Sequence, residues 1–193
     1  MLPGKDNKPL GATKTGGDRF TIITGGPGAG KTALIEELRR RGFRGTQEAG
    51  RAIIRDQALI GGRALHSADN ALFAELMLAW EMRSYRIAEE EPGPAIFFDR
   101  GIPELTGYMR MLGRPVPAHM AAAARLFRYR HRVFVAPPWP EIYATDAERK
   151  QDFAEAVASC EAARAAYAEY GYQAVTLPLD TIARRADFVL ASR

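Results

Sequence analysis

The chain has 193 residues, enough for one well-buried domain and too few for two of ordinary size. Its 47% hydrophobic and 26% charged residues fit a globular protein, and a net charge of +4 with scattered arginines does not by itself argue for nucleic acid. The single cysteine, Cys160, excludes an intramolecular disulfide, and no apolar run approaches the ~20 residues of a membrane span.

Residues 1–18 carry charge, proline and glycine but no apolar stretch. They read as a flexible arm before a single domain over 19–193, not as a secretory signal, and a cytoplasmic location is expected. The β-branched run 19–24 stops at glycines and predicts a buried strand. A helix over 31–41 then carries Leu34, Ile35 and Leu38 on one face, with Gly42 as its C-terminal cap. A short second strand is expected near 43–47, followed by a helix with Ile53 and Ile54 that ends at the glycines 61–62. A long amphipathic helix over 69–90 places Phe73, Met77, Trp80 and Ile87 at helical spacing.

Residues 95–99 form a third buried strand ending at Asp99, and helical segments are expected over 104–112 and 118–129. A fourth strand begins at 132. A helix over 146–170 follows, with Phe153, Val157, Cys160, Ala163 and Tyr167 on one stripe. The fifth strand spans 174–178, and Asp180 or Thr181 can cap a last helix. Strands alternating with helices imply an α/β fold of three layers, a five-stranded parallel sheet covered on both faces. Ligands of such sheets bind beyond the carboxyl ends of the strands, where Gly25, Glu48, Asp99, Pro137 and Pro178 fall.

Residues 25–32, GGPGAGKT, match the P-loop pattern in full. Gly25, Gly26, Pro27, Gly28, Ala29 and Gly30 would turn the backbone so that its N–H groups converge on phosphate oxygens, backed by the helix N-terminus. Lys31 would reach the β- and γ-phosphates, and the Thr32 hydroxyl would ligate magnesium. The motif follows a predicted strand and opens a predicted helix, the context that separates a phosphate cradle from an ordinary glycine-rich turn.

Asp99 ends a buried strand, where the second magnesium acid of P-loop proteins belongs. Motor-type ATPases usually follow this acid with a glutamate that polarises water; here Arg100 follows, which suits binding of phosphate or substrate oxygens. Two readings of Glu48 stand side by side: a carboxylate that takes up the acceptor proton, or a helix-start glutamate favoured by the macrodipole. Arg51 and Arg55, one turn apart, offer an anionic acceptor two cations or face water. Phe73 and Trp80 are expected to pack in the core more than to stack on a ring. His66 lies in a loop of the same segment.

Residues 136–150 fall where P-loop kinases carry a lid; Arg149 and Lys150 are candidates to close over the γ-phosphate or are solvated charges at a helix start, with Trp139 as an anchor. The segment 176–180 lies where adenine commonly rests. GGPGAGKT, the acid of TQEAGR, FFDRGIPE, PPWPEIYATDAERK and LPLDTIARRADFVL together resemble the AAA-type P-loop ATPases similar to the nicotinamide riboside kinase domain of NadR. The resemblance covers about residues 19–193. It implies ATP or GTP binding through Gly25–Thr32 with Asp99, Arg100 and Arg149 facing the phosphates, and it leaves the substrate open.

Two functions are expected from these features. The first is a magnesium-dependent kinase moving the γ-phosphoryl group of ATP (or GTP) to a hydroxyl of a nucleoside-like small molecule. Lys31, Asp99, Glu48, Arg100 and Arg149 would be catalytic, and Thr32 and Asp99 would hold the metal. The alternative is a nucleotide-dependent switch or slow NTPase acting on a protein or lipid partner. The oligomeric state is left open.

Overall fold

The computed structural model describes residues 16–143 and 152–193. Its centre is a parallel sheet of five strands: β1 (Phe20–Gly25), β2 (Arg44–Gly45), β3 (Ile96–Asp99), β4 (Arg132–Ala136) and β5 (Gln173–Thr176). The order across the sheet is β2-β3-β1-β4-β5, and every neighbouring pair runs parallel. The connections contain α1 (Lys31–Arg40), α2 (Ala49–Ile60), α3 (Asn70–Glu90), α4 (Ile102–Met111), α5 (Ala118–Leu126) and α6 (Phe153–Glu169), and α7 (Ile182–Ser192) closes the chain.

β1 is buried along its whole length, so its residues feed both faces of the sheet. Ile23, with Phe97 of β3 and Phe134 of β4, packs against Leu34, Ile35 and Leu38 of α1 and against Ala186 and Val189 of α7. Phe20, Ile22 and Phe98 point the other way, into an aromatic cluster with Tyr85 of α3, Tyr129 and Tyr167 of α6. That alternation makes the three layers. The chain leaves β1 between β3 and β4, so a crevice opens beyond the carboxyl ends of these strands.

Local departures from the predicted elements have tertiary causes. The second strand is only Arg44–Gly45; beyond it the Thr46 N–H donates to the Phe97 carbonyl and the Thr46 hydroxyl oxygen accepts the N–H of Asp99. On α3 the fully buried stripe is Phe73, Ala74, Leu78, Glu81, Tyr85 and Ala88, while Ile87 is exposed. Phe73, Met77 and Trp80 instead pack sideways on α2. The described part of the sixth helix starts at Phe153, where Asp152 and Glu155 form a reciprocal capping box; the expected start at Asp146 lies outside the described residues. Within its expected stripe, Cys160, Ala163 and Tyr167 are buried and Val157 is exposed. Thr181, not Asp180, caps α7 by accepting the N–H of Arg184.

Residues 16–18, placed in the arm by sequence, form part of a 3-10 turn, Gly16–Arg19, against the domain. The Asp18 carbonyl accepts from Arg130. Among the described residues, no helix is long and apolar enough to cross a membrane.

Candidate functional site: a phosphate loop joined to a carboxylate-lined chamber

β1 ends at Gly25 and α1 begins at Lys31, so the glycine-rich segment is the turn between the central strand and the helix behind it. Gly25 has φ +131°, and a Cβ there would sit 2.2 Å from the Ala136 carbonyl oxygen of β4. Neither the conformation nor the space admits a side chain. Gly30 caps α1 in the left-handed region, and no acid stands in the first turn of that helix. The positive end of α1 is thereby left to an external anion. Lys31 is buried and gives hydrogen bonds to the carbonyl oxygens of Gly25 (3.1 Å) and Gly26 (2.9 Å). Burial first, and then Arg100, push its ammonium pKa below the usual lysine value. Thr32 is exposed and lines the cleft.

Asp99 stands in register with Ile23 at the end of β3, beside the strand that carries the loop. Its N–H donates to the Thr46 hydroxyl at 3.0 Å. The side chain is 2% exposed, and its Oδ1 has no hydrogen-bond partner among the described residues. Burial, reinforced by Glu48 and Glu104 and opposed by Lys31 and Arg100, raises its carboxyl to about 6. A buried carboxylate oxygen with an unused lone pair suits a divalent cation, which would supply the missing partner and favour the ionised form. No cluster of three or more His, Cys, Asp or Glu side chains among the described residues forms a ready-made metal cage. A magnesium ion shared by Asp99 and Thr32 would therefore depend on phosphate oxygens for other ligands.

Arg100 is the one non-glycine residue with positive φ among those described, at +73°. Its N–H is fixed to the Ile23 carbonyl at 3.0 Å, which holds the chain in this unfavourable region and aims the side chain across the cleft. The guanidinium bridges two carboxylates: Nε lies 3.2 Å from Glu48 Oε1, and NH1 pairs with Glu104. Burial alone would lower its pKa, but Glu104, Glu48 and Asp99 outweigh that and raise it.

Glu48 occupies the N-cap of α2, yet its side chain makes no capping bond. It takes Arg100 and, at 3.2 Å, Arg51 instead. The macrodipole reading thus describes the backbone position but not the carboxylate. Burial pushes Glu48 up, and Arg100, Lys31 and Arg51 together hold it below the usual range, so it is ionised at neutral pH. Glu104, on the first turn of α4, also accepts from the Thr24 hydroxyl and from Tyr167 at 3.3 Å.

One cavity of about 680 Å³ runs from Lys31 and Thr32, past Glu48, Arg100 and Glu104, into a chamber walled by Phe73, Met77 and Tyr108. Phe73 is both core and lining; Trp80 packs beside it on α2. His66 is exposed and lines the same cavity. Glu81 of α3 lines the chamber too, although it is only 4% exposed. Burial first, then Asp99 and Glu104, raise its carboxyl well above the usual value.

The structure thus brings together Gly25–Thr32, Glu48, Asp99 and Arg100. Arg55 is exposed on α2, and Arg149 and Lys150 lie outside the described residues. Sequence reasoning missed Glu81, Glu104 and Arg185. Glu81 has a legible signal, an acid inside the buried stripe Ala74–Leu78–Glu81–Tyr85–Ala88. Glu104 stands one turn after Arg100. Arg185, of α7, is fully buried, donates to the Ala29 carbonyl of the loop at 3.1 Å and lies 5.8 Å from the Trp139 ring centre. Nothing in the sequence marked it.

This sheet order, with a phosphate loop after its central strand and helices on both faces, is the fold found in P-loop nucleoside and nucleotide kinases. A family model described as an AAA domain matches residues 20–185, and the chain belongs to that family. The fold is similar to that of a deoxyadenosine kinase from M. mycoides solved with dCMP and a flexible dCDP bound. The TM-score is 0.59 at 13% identity, over 89% of this chain and 97% of that one. It is also similar to a thymidylate kinase from Ehrlichia chaffeensis, with a TM-score of 0.57 at 15% identity over 91% and 98%. No curated protein matches the chain by sequence.

Proposed function

We propose that the protein is a magnesium-dependent small-molecule kinase that transfers the γ-phosphoryl group of ATP (or GTP) to a hydroxyl of a nucleoside-like acceptor. The observation that carries this reading is the continuity of one cavity from Lys31 and Thr32 to the Phe73–Tyr108 chamber, with Glu48 and Glu104 at the join. A site built only for hydrolysis needs no second chamber.

In this reading the loop amides and the end of α1 bind the β- and γ-phosphates. Lys31 exchanges its two loop carbonyls for phosphate oxygens. Thr32 and Asp99 hold magnesium, which neutralises charge on the phosphates when bound. The ionised Glu48 accepts the proton of the attacking hydroxyl, and Arg100 fixes the orientation of that carboxylate through its bridge to Glu104. Arg149, assigned on its place in the sequence, closes over the transferring group. The similarity in fold to a deoxyadenosine kinase and the resemblance to nicotinamide riboside kinases both support a nucleoside-type acceptor.

The test follows the label of [γ-32P]ATP with magnesium in the presence of pooled nucleosides and other hydroxylated metabolites, with Lys31→Ala as the blank. Label on an organic acceptor is the expected outcome. Label released only as inorganic phosphate would overturn the kinase reading and leave the nucleotide switch in its place.

A further inference from the structure

The acceptor half of the cleft is lined by three acids whose neighbouring cations are already paired. Glu48, Glu81 and Glu104 all line it. Among the described residues, each cation on its wall is already engaged. Arg100 lies between Glu48 and Glu104, Arg51 pairs with Glu48, and Lys31 is folded onto the phosphate-loop carbonyls. No arginine is left there to receive a phosphate on the acceptor, which is how a phosphorylated acceptor would be held.

Two polar groups in the chamber lack partners. Glu81 is 4% exposed and lines the cavity, yet its carboxyl makes no hydrogen bond or ion pair among the described residues. The Tyr108 hydroxyl is buried in the same chamber and is likewise without a partner. A buried hydroxyl without a partner and a carboxyl that makes no bond, on residues lining one cavity, point to a ligand that completes them. Between them Phe73 and Met77 offer an apolar wall for a ring or a sugar face.

We propose that Glu81 and the Tyr108 hydroxyl form the subsite that recognises the acceptor, and that this subsite selects unphosphorylated molecules presenting an amine or amino N–H. The carboxyl of Glu81 takes that N–H, and with the arginines of the wall already paired an acceptor phosphate meets no open counter-charge. The inference rests on the kinase reading for the word acceptor, but the subsite is tested by binding alone.

The probes are three pairs differing by one phosphate: adenosine and AMP, cytidine and CMP, glucosamine and glucosamine 6-phosphate. Each is titrated calorimetrically into the full chain saturated with magnesium and the non-hydrolysable donor AMP-PNP, so that the donor end is closed to the monophosphates. At least one unphosphorylated member is expected to bind, and to bind about 10-fold or more tightly than its phosphorylated counterpart. Glu81→Leu should weaken that binding about 10-fold, the effect of losing one hydrogen bond. Glu81→Gln, which keeps the shape, should keep the adenosine or cytidine affinity within about twofold while losing glucosamine. AMP-PNP affinity should be unchanged in both variants, which shows that they are folded.

Equal or tighter binding of the phosphorylated members, no binding by any unphosphorylated probe, or unchanged affinities in both Glu81 variants would each overturn the subsite. If the binding pattern holds while no label is transferred, the kinase reading falls and the subsite stands.

Discussion

At the scale of single residues the site is a contest between burial and charge. Lys31 and Asp99 are both buried, and neither has a lone opposite partner: Lys31 leans on carbonyls, and one oxygen of Asp99 faces nothing. Such an arrangement is poised for a phosphate and a cation, not for its own stability. Lys31→Ala should lower phosphoryl transfer about 100- to 1,000-fold, read as kcat/KM, since one preorganised cation is lost from the developing charge. Glu48→Gln should reduce kcat by about 100-fold or more while the ATP affinity holds, because the proposed proton acceptor is removed and the phosphate loop is untouched.

Asp99 makes a pH prediction whose sign is fixed by burial. Its carboxyl is raised from 3.8 to about 6 in the folded chain. Its contribution to stability is present below pH 4 and is lost as pH rises through 6, where the buried group must ionise. In nucleotide-free protein, Asp99→Asn should therefore gain stability relative to the native chain between pH 5 and pH 7.5, read from urea midpoints. A difference that stays constant over that interval would show that the carboxyl is already ionised at pH 5.

At the scale of elements, the site depends on how closely α4 approaches α6. Gly107 of α4 faces the backbone of α6: a Cβ there would lie 2.7 Å from the Ala162 carbonyl oxygen. That approach keeps Glu104, one turn earlier, within reach of both Thr24 of β1 and Tyr167 of α6. Gly107→Val should destabilise the fold by about 1–3 kcal/mol through overpacking, and the loss appears in thermal or urea unfolding. Because Glu104 also anchors Arg100, the same variant should lower kcat more than it raises the KM for ATP.

At the scale of the whole molecule, the first and last helices meet at the phosphate loop. Arg185 comes from α7, 156 residues beyond Ala29, yet its guanidinium supports the loop carbonyl and Gly30 could not carry a side chain beside it. Its Nε and NH2 have no partner among the described residues, so burial lowers its pKa. Arg185→Ala should weaken ATP binding about 10-fold, since the carbonyl it supports loses a charge-assisted hydrogen bond worth about 1.5–3 kcal/mol. Arg185→Met keeps more of the packing, so its loss of unfolding stability should be smaller while the loss of affinity is similar. That difference separates support of the loop from simple filling of space.

The order of elements and the phosphate loop were legible in the sequence because both are local. A β-branched run, a glycine turn and an amphipathic helix report themselves within about ten residues of each other. The cleft positions of Asp99 and Glu48 were legible for a related reason: they stand at or just beyond strand ends, and a parallel sheet gathers such positions on one edge. The sequence could not show which faces of α3 and α6 would be buried, because α3 packs on two neighbours at once and its apolar residues serve both. Nor could it show that Glu81, Glu104 and Arg185 belong to the site. Their roles exist only where helices far apart in the chain enclose one cavity, and burial and charge pairing are properties of that enclosure, not of any local pattern.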